Sequence, residues 1–353
     1  MKGQETLRAE FEIVTPVFCA GADQNGPSEI RPFSIRGALR WWYRAIDGNF
    51  LEKEPKIFGS TTGTGQSSPI TLAMARWIQE DASLEKILRP EKARESGAAY
   101  LGYTLYLGSN HRKAVLPSNH RITITLKWNW KPASEEEQQY IRRAWAAALW
   151  LFGHLGGLGT RARRGFGTLS LVKWNGWPEC DLLGTAHGAS TPAEWKARFD
   201  GGFQMIRQWF RPPNQAGHQH LGEKVPVYLW KTGKPTCHAA LDEIGSTFQS
   251  FRNQPQWHKP ELLAAFGLPI RFRNHPARRA SPKDHNRAAS PLQIRVVKIG
   301  NAFHPLVWRA EGPLVPEKQI KLVYGGDYSR QPGQPWDRAL TAFLESIRAQ
   351  CVA

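Results

Sequence analysis

Between residues 153 and 167 the chain reads Gly-His-Leu-Gly-Gly-Leu-Gly-Thr-Arg-Ala-Arg-Arg-Gly-Phe-Gly, with six glycines, three arginines and no acidic residue. A helix-like run, Tyr140 to Phe152, leads into it, and a strand-like run, Phe166 to Lys173, leads out. Any fold must therefore end a helix and start a strand on either side of a segment with few backbone constraints. Glycines such as Gly156, Gly157 and Gly159 permit left-handed conformations and close approach of a second backbone. Arg161, Arg163 and Arg164 supply planar forks of donors suited to phosphate oxygens. His154 either donates to phosphate or acts as a base, or else sits at a helix C-terminus where the dipole favours it. No Gly-Lys-Ser/Thr closes the segment and no strand leads into it, so it is not a nucleoside-triphosphate P-loop.

The elements around it set the fold class. Residues 5–14 alternate, with Leu7, Ala9, Phe11 and Ile13 on one face, which predicts a half-buried strand. A helix follows with Ser34 as its cap, Ile35, Leu39, Trp42 and Ile46 forming its apolar stripe. Strands are expected over 70–77 and 121–128, residues 97–107 read as β-prone, and Glu135 to Glu137 open the helix that reaches the loop. Strand, helix, strand, strand, helix, strand is the βαββαβ ferredoxin-like order that also underlies RNA-recognition motifs. The expected class is α+β, as two tandem ferredoxin-like domains with loop insertions. Gly176-Trp177-Pro178 marks the boundary, giving residues 1–178 and 179–353. The second half holds helical runs at 193–210, 239–252 and 336–350 and strand-like runs at 225–230, 291–299, 303–309 and 319–324.

Charge narrows the function. Forty-seven Lys and Arg against 30 Asp and Glu leave +17 over 353 residues, the balance of a protein that handles nucleic acid. Membrane binding would need a basic amphipathic helix at a terminus, and the mixed charges of 336–351 do not supply one. No apolar run reaches membrane-spanning length and no signal peptide is visible. Cys19, Cys180, Cys237 and Cys351 lie far apart, as reduced thiols of a cytoplasmic protein and not as zinc ligands or a disulfide frame.

Three further features bear on binding. Arg36, Arg40 and Arg44 form a second stripe on the first helix, beside Gly37 and without carboxylate partners. A phosphate-facing helix or a contact with an acidic subunit accounts for it. Trp41, on neither stripe, is either a candidate for stacking on a base or for subunit contact, or partly buried beneath a neighbouring loop. The most basic window, 271–295, includes Arg278, Arg279, Lys283 and Arg287. Its Pro, Asn and Ser content up to Pro291 predicts a loop ordered by RNA. For catalysis the candidates are thin. Asp23 is either a metal-assisting carboxylate or a turn former, and no carboxylate pair, nucleophile triad, metal site or cofactor fingerprint is present. The reading is a binding protein, not an enzyme.

The glycine-arginine segment resembles the glycine-rich loop of the RAMP superfamily, the RNA-binding subunits of CRISPR effector complexes. Ser34-Ile35-Arg36-Gly37-Ala38-Leu39-Arg40-Trp41-Trp42-Tyr43-Arg44, Ile57-Phe58-Gly59-Ser60-Thr61 and Ala289-Ser290-Pro291-Leu292-Gln293-Ile294-Arg295-Val296 match in the same order, and together are similar to the first RAMP subunits of type III-B (Cmr) complexes. The resemblance implies tandem ferredoxin-like domains and a non-catalytic subunit that holds the 3′ part of the CRISPR RNA and helps engage target RNA. Its partners would be CRISPR RNA, target RNA and other Cmr subunits, with no cofactor. An RNA-processing endoribonuclease of the same superfamily, or a bridging subunit whose basic patches meet acidic protein, are the alternatives.

Overall fold

The computed structural model of the protein describes residues 6–23, 25–63, 65–83, 96–105, 112–117, 121–213, 217–257, 260–272, 275–282, 287–312, 320–324, 327–330 and 335–352. In the first half, β1 (Thr6–Ile13), β3 (Ile70–Met74), β5 (Arg121–Trp128) and β6 (Leu169–Asn175) form one antiparallel sheet in the order β3-β5-β1-β6. The alternation expected for β1 is present, with Leu7, Ala9, Phe11 and Ile13 buried. Helices α1 (Pro32–Ile46) and α4 (Glu135–His154) belong to the same core as this sheet, through Ile35, Leu39 and Trp42 and through Ile141, Trp145 and Phe152. Ser134 caps α4 by accepting from the Glu137 N–H, with three glutamates in its first turn, where the macrodipole favours negative charge. Helix α1 starts earlier than expected. Pro32 stands in its first turn and Arg31 at its cap position, so Ser34 is inside the helix and is not the cap.

The opposite face of the sheet carries Arg8, Glu10 and Glu12 from β1, Arg121, Thr123, Thr125 and Lys127 from β5, and Thr71 and Ala73 from β3. No aromatic ring is among them. An RNA-recognition motif reads bases by stacking them on aromatics of this face, and these three strands place none there.

Between the sheet strands lie β2 (Ser28–Ile30), which pairs with β4 (Ile78–Glu80), the helix α2 (Phe50–Phe58) and the short helix α3 (Gly97–Leu101) followed by a 3-10 turn at Tyr103–Leu105. Residues 97–105 are thus helical and not the strand that their aromatics suggest. The reason is tertiary: a Cβ on Gly97 would stand 2.1 Å from the Asp242 carbonyl oxygen, and one on Gly245 2.0 Å from that of Gly97. Only glycine at both sites lets α3 lie this close to α7 (Cys237–Asn253).

Beyond β6 come α5 (Pro178–Leu183) and α6 (Pro192–Trp209), which join the first core through Cys180, Leu183, Trp195 and Phe199. In the second half β7 (Val227–Leu229), β10 (Leu292–Ile299) and β11 (Ala302–Arg309) form a sheet in the order β10-β11-β7. A bridge between Trp230 and Cys351 extends its β7 edge just past α9 (Pro335–Ile347). Helices α7 and α9 meet this sheet in a second core, through Leu241, Phe248, Ile294, Val307 and Phe343. That core also takes Val14, Phe18, Leu101 and Phe166 from the first half. After the four-residue α8 (Pro260–Leu263), the strands β8 (Ile270–Phe272), β9 (His275–Pro282), β12 (Ile320–Tyr324) and β13 (Asp327–Arg330) make a separate sheet, β13-β12-β9-β8. The loop expected up to Pro291 is therefore in part a strand pair. Arg278 and Arg279 sit in β9, opposite Tyr324 and Val323 of β12. Lys283 lies outside the described residues.

Candidate nucleic-acid interface

The glycine-arginine segment is sewn into the chain's own backbone. Leu158 N–H donates to the Gly167 carbonyl, Thr160 N–H to Phe18, Gly167 N–H to Pro16 and Ile294 N–H to Arg163, at 2.7–3.1 Å. The glycines serve this closeness. Gly159 has φ +85°, and a Cβ there would lie 2.4 Å from the Phe18 carbonyl oxygen. A Cβ on Gly156 would stand 2.7 Å from the Phe152 carbonyl oxygen and 2.9 Å from the Trp42 indole nitrogen. Gly157 bridges Thr168 and is half-buried. The backbone that closely approaches Gly156 and Gly159 here is thus the protein's own. Gly159→Val should cost about 2–4 kcal/mol, from left-handed strain plus overpacking. A thermal melt superimposable on the wild type would show that the close approach to Phe18 does not require this glycine.

The arginines divide. Arg164 is 8% exposed and donates to the Leu292 and Phe266 carbonyls. Its guanidinium lies over the Phe248 ring, and burial pulls its pKa down to about 9. Arg163 donates to the Ser290 carbonyl at 2.8 Å and to Gln219, and covers the Trp41 ring at 5.4 Å. Arg161 adopts φ 65°, donates to the Leu101 carbonyl at 2.6 Å and lies 5.2 Å over the Tyr103 ring. Arg164 therefore does not face a phosphate: its planar fork binds carbonyls of the second half. His154 does not either. It is 3% exposed, stacked on Trp150, with Nδ1 bonded to the Trp150 carbonyl at 2.7 Å and Nε2 accepting from Ala186 N–H at 3.0 Å. Burial holds its pKa down at about 3, so the ring is neutral with its proton on Nδ1 and has no free nitrogen for acid-base work.

One arginine at the end of the motif near residue 290 has a role that sequence spacing alone does not show. Arg295, buried in β10, donates to the carbonyls of Gly153, Phe152, Gly156 and Leu169. It joins the Leu155 and Gly156 N–H groups, which already reach the Leu151 and Phe152 carbonyls, in closing the C-terminus of α4, where carbonyls run out of intrahelical donors.

On α1 the arginine row has a carboxylate partner after all, contributed by α2. Arg40 Nε and an Arg44 terminal nitrogen each reach Glu54 Oε1 at 2.7 Å, and Arg44 Nε bonds the second oxygen. Arg36 donates to the Phe58 carbonyl and Arg40 to that of Gly59 at 3.3 Å. Burial pushes the Glu54 carboxyl up, but bonds from the two guanidiniums outweigh it and hold it below the ordinary value. Three cations against one anion leave the face positive by two. Arg40 and Arg44 remain 34% and 44% exposed as side chains. Trp41 is partly buried, its ring edge-on to Trp42. Arg287 is exposed. Among the predicted site residues, those on α1, the exposed Gly159-Thr160 turn and Arg287 are thus open to solvent. Asp23 is exposed too, and accepts from Asn25 N–H at 2.9 Å, as a turn former does.

A family model described as the RAMP superfamily matches residues 10–170. The CRISPR system Cmr subunit Cmr1-2 of Pyrococcus furiosus is 30% identical over 183 residues, an alignment covering 46% of this chain and 92% of that protein. The chain belongs to the RAMP superfamily. Cmr1-1 of the same organism is 25% identical over 325 residues, covering 84% of this chain and 88% of that one. Two solved structures share the fold of this RAMP protein. The crystal structure of Cmr1 from Pyrococcus furiosus in its apo form gives a TM-score of 0.60 at 19% identity, covering 96% of each chain. A chain of the type III-B Cmr-beta complex bound to cognate target RNA gives 0.64 at 11% identity, covering 98% of this chain and all of that one. Among the described residues no helix is long and apolar enough to cross a membrane, and no three His, Cys, Asp or Glu side chains gather as a metal site.

Proposed function

We propose that this chain is a non-catalytic RNA-binding subunit of a type III-B CRISPR effector complex, built from two tandem βαββαβ units. The sheet order β3-β5-β1-β6 supports the first unit, and the order β10-β11-β7 with the bridge to Cys351 supports the second. The observation that carries the function is the α1 face, positive by two and partly exposed, in a chain whose relatives are Cmr subunits. Its ligand is the phosphate backbone of CRISPR RNA or target RNA, contacted by Arg36, Arg40 and Arg44, with Trp41, the Gly159-Thr160 turn, Arg161 and Arg287 alongside. Arg278, Arg279 and Lys283 are further candidates for phosphate contact. Its protein partners are the other Cmr subunits. The engagement of both His154 nitrogens and the turn role of Asp23 support a subunit that does not cleave RNA.

Removing the three arginines alone would strand a buried carboxylate, which is costly. The clean variant replaces Arg36, Arg40 and Arg44 by Gln together with Glu54→Gln. In the complex reconstituted with CRISPR RNA, it should weaken RNA binding similarly for all sequences. It should also flatten the salt dependence by about 0.7 in log-log slope for each phosphate that the variant no longer neutralises. Unchanged affinity and slope would remove α1 from the RNA surface. Cleavage of labelled RNA that co-purifies with the chain would favour the endoribonuclease alternative.

A further inference from the structure

Phe33, Gly37 and Trp41 lie at i, i+4 and i+8 on α1, one above another on one side of the helix. Phe33 is 75% exposed, an unusual place for a large ring on a helix. Gly37 is exposed, and a Cβ built there would meet nothing within 4 Å. The helix thus carries a residue that weakens it at a site where its own packing would accept any small side chain. At 1.5 Å of rise per residue, Phe33 and Trp41 are about 12 Å apart along the axis, with the bare backbone of Gly37 halfway. Arg36 and Arg40, at one residue before and three after Gly37, flank this gap.

We infer that this notch is a seat for one nucleotide of single-stranded RNA. Its base stacks on the open face of Phe33 and its phosphate lies over Gly37, within reach of Arg36 and Arg40. The inference rests on the RNA-binding reading above and gives it a specific contact. An aromatic ring, a gap without a side chain and a surplus of positive charge suit a planar, anionic ligand. A purely apolar protein knob would leave the positive charge that Glu54 does not offset unanswered, and an acidic protein loop would not need the exposed ring. Stacking is sequence-tolerant, so this seat would hold a nucleotide at a fixed place along the strand without choosing its base.

The test uses the full chain, alone and in the reconstituted complex, with short single-stranded RNAs carrying 2-aminopurine at successive positions. Stacking on Phe33 should quench the fluorophore at one position. Phe33→Leu, which keeps an apolar side chain, should abolish that quench and weaken binding by about 5- to 150-fold, while Phe33→Trp should retain both. Gly37→Leu should act in opposite directions on the two readouts, raising the melting temperature of the free protein while lowering RNA affinity. If the wild type binds RNA and all three variants bind it equally, with no position quenched, the nucleotide seat is wrong and the RNA-binding reading stands. If the variants bind RNA normally but no longer join the complex, the stripe is a protein-docking surface and the inference is overturned. If the wild-type complex shows no RNA bound to this chain at all, the underlying reading fails with it.

Discussion

Arg295→Met should be among the most damaging single substitutions in this protein, lowering stability by about 3–5 kcal/mol. The side chain it replaces is buried and donates to carbonyls of Phe152, Gly153, Gly156 and Leu169. Methionine fills similar space and supplies no donor, so the end of α4 and the start of β6 would keep unpaired oxygens in a dry interior. Arg295→Lys should lie between the two, because one ammonium cannot reach acceptors spread as a planar fork can. Urea midpoints for the three proteins provide the measurement. A methionine variant as stable as the wild type would mean that Arg295 is not the closure of the helix.

The second large effect is acid sensitivity through His154. Its folded pKa of about 3 lies below the ordinary histidine value. Burial is the main cause, opposed by the bond to the Trp150 carbonyl and reinforced by the nearby Arg295 charge. In the unfolded chain the ring takes up a proton near pH 6.5, while the native ring stays neutral. The group therefore contributes its full stability above about pH 6.5 and loses it as pH falls towards 3, at about 1.4 kcal/mol per unit. Burial also pushes His187, His218 and His304 down, so the share of His154 must be taken as a difference. Between pH 6 and 5, where carboxylates contribute little, His154→Gln should show a slope shallower by about one proton. Equal slopes would mean that the native ring protonates like a free histidine.

These two residues also show which parts of the structure can be read from the chain. Alternation in residues 6–13 and 121–128 specifies β1 and β5 because one face of each is buried, and that pattern survives in any context. The Ser134 cap and the glutamate run specify the start of α4 locally. The partners of the arginines are not legible. Arg295 and the carbonyls it binds are separated by more than 120 residues, and only the docking of the two halves brings them together. Glu54 is hidden differently. Helix α2 contains Pro55, which removes a donor and reads as a helix breaker, so the pattern does not place the carboxylate on a helix facing Arg40 and Arg44. The glycines of 153–167 are legible as sites of close approach. Which backbone approaches, Phe18 and Phe152 of the same chain, is a property of the tertiary fold.

The closure of α4 by Arg295 also has a consequence for biosynthesis. The ribosome makes Gly156 139 residues before it makes Arg295, a delay on the order of ten seconds at ordinary elongation rates. During that interval the Gly153, Gly156 and Leu169 carbonyls wait for the side chain that donates to them in the folded protein. A chain that stops before β10 would therefore present an unfinished first half to proteases and chaperones, however complete its own strands. The glycine-arginine segment takes its final form only once β10 has been translated, so products truncated before it should be cleared before they can compete for a place in an assembly.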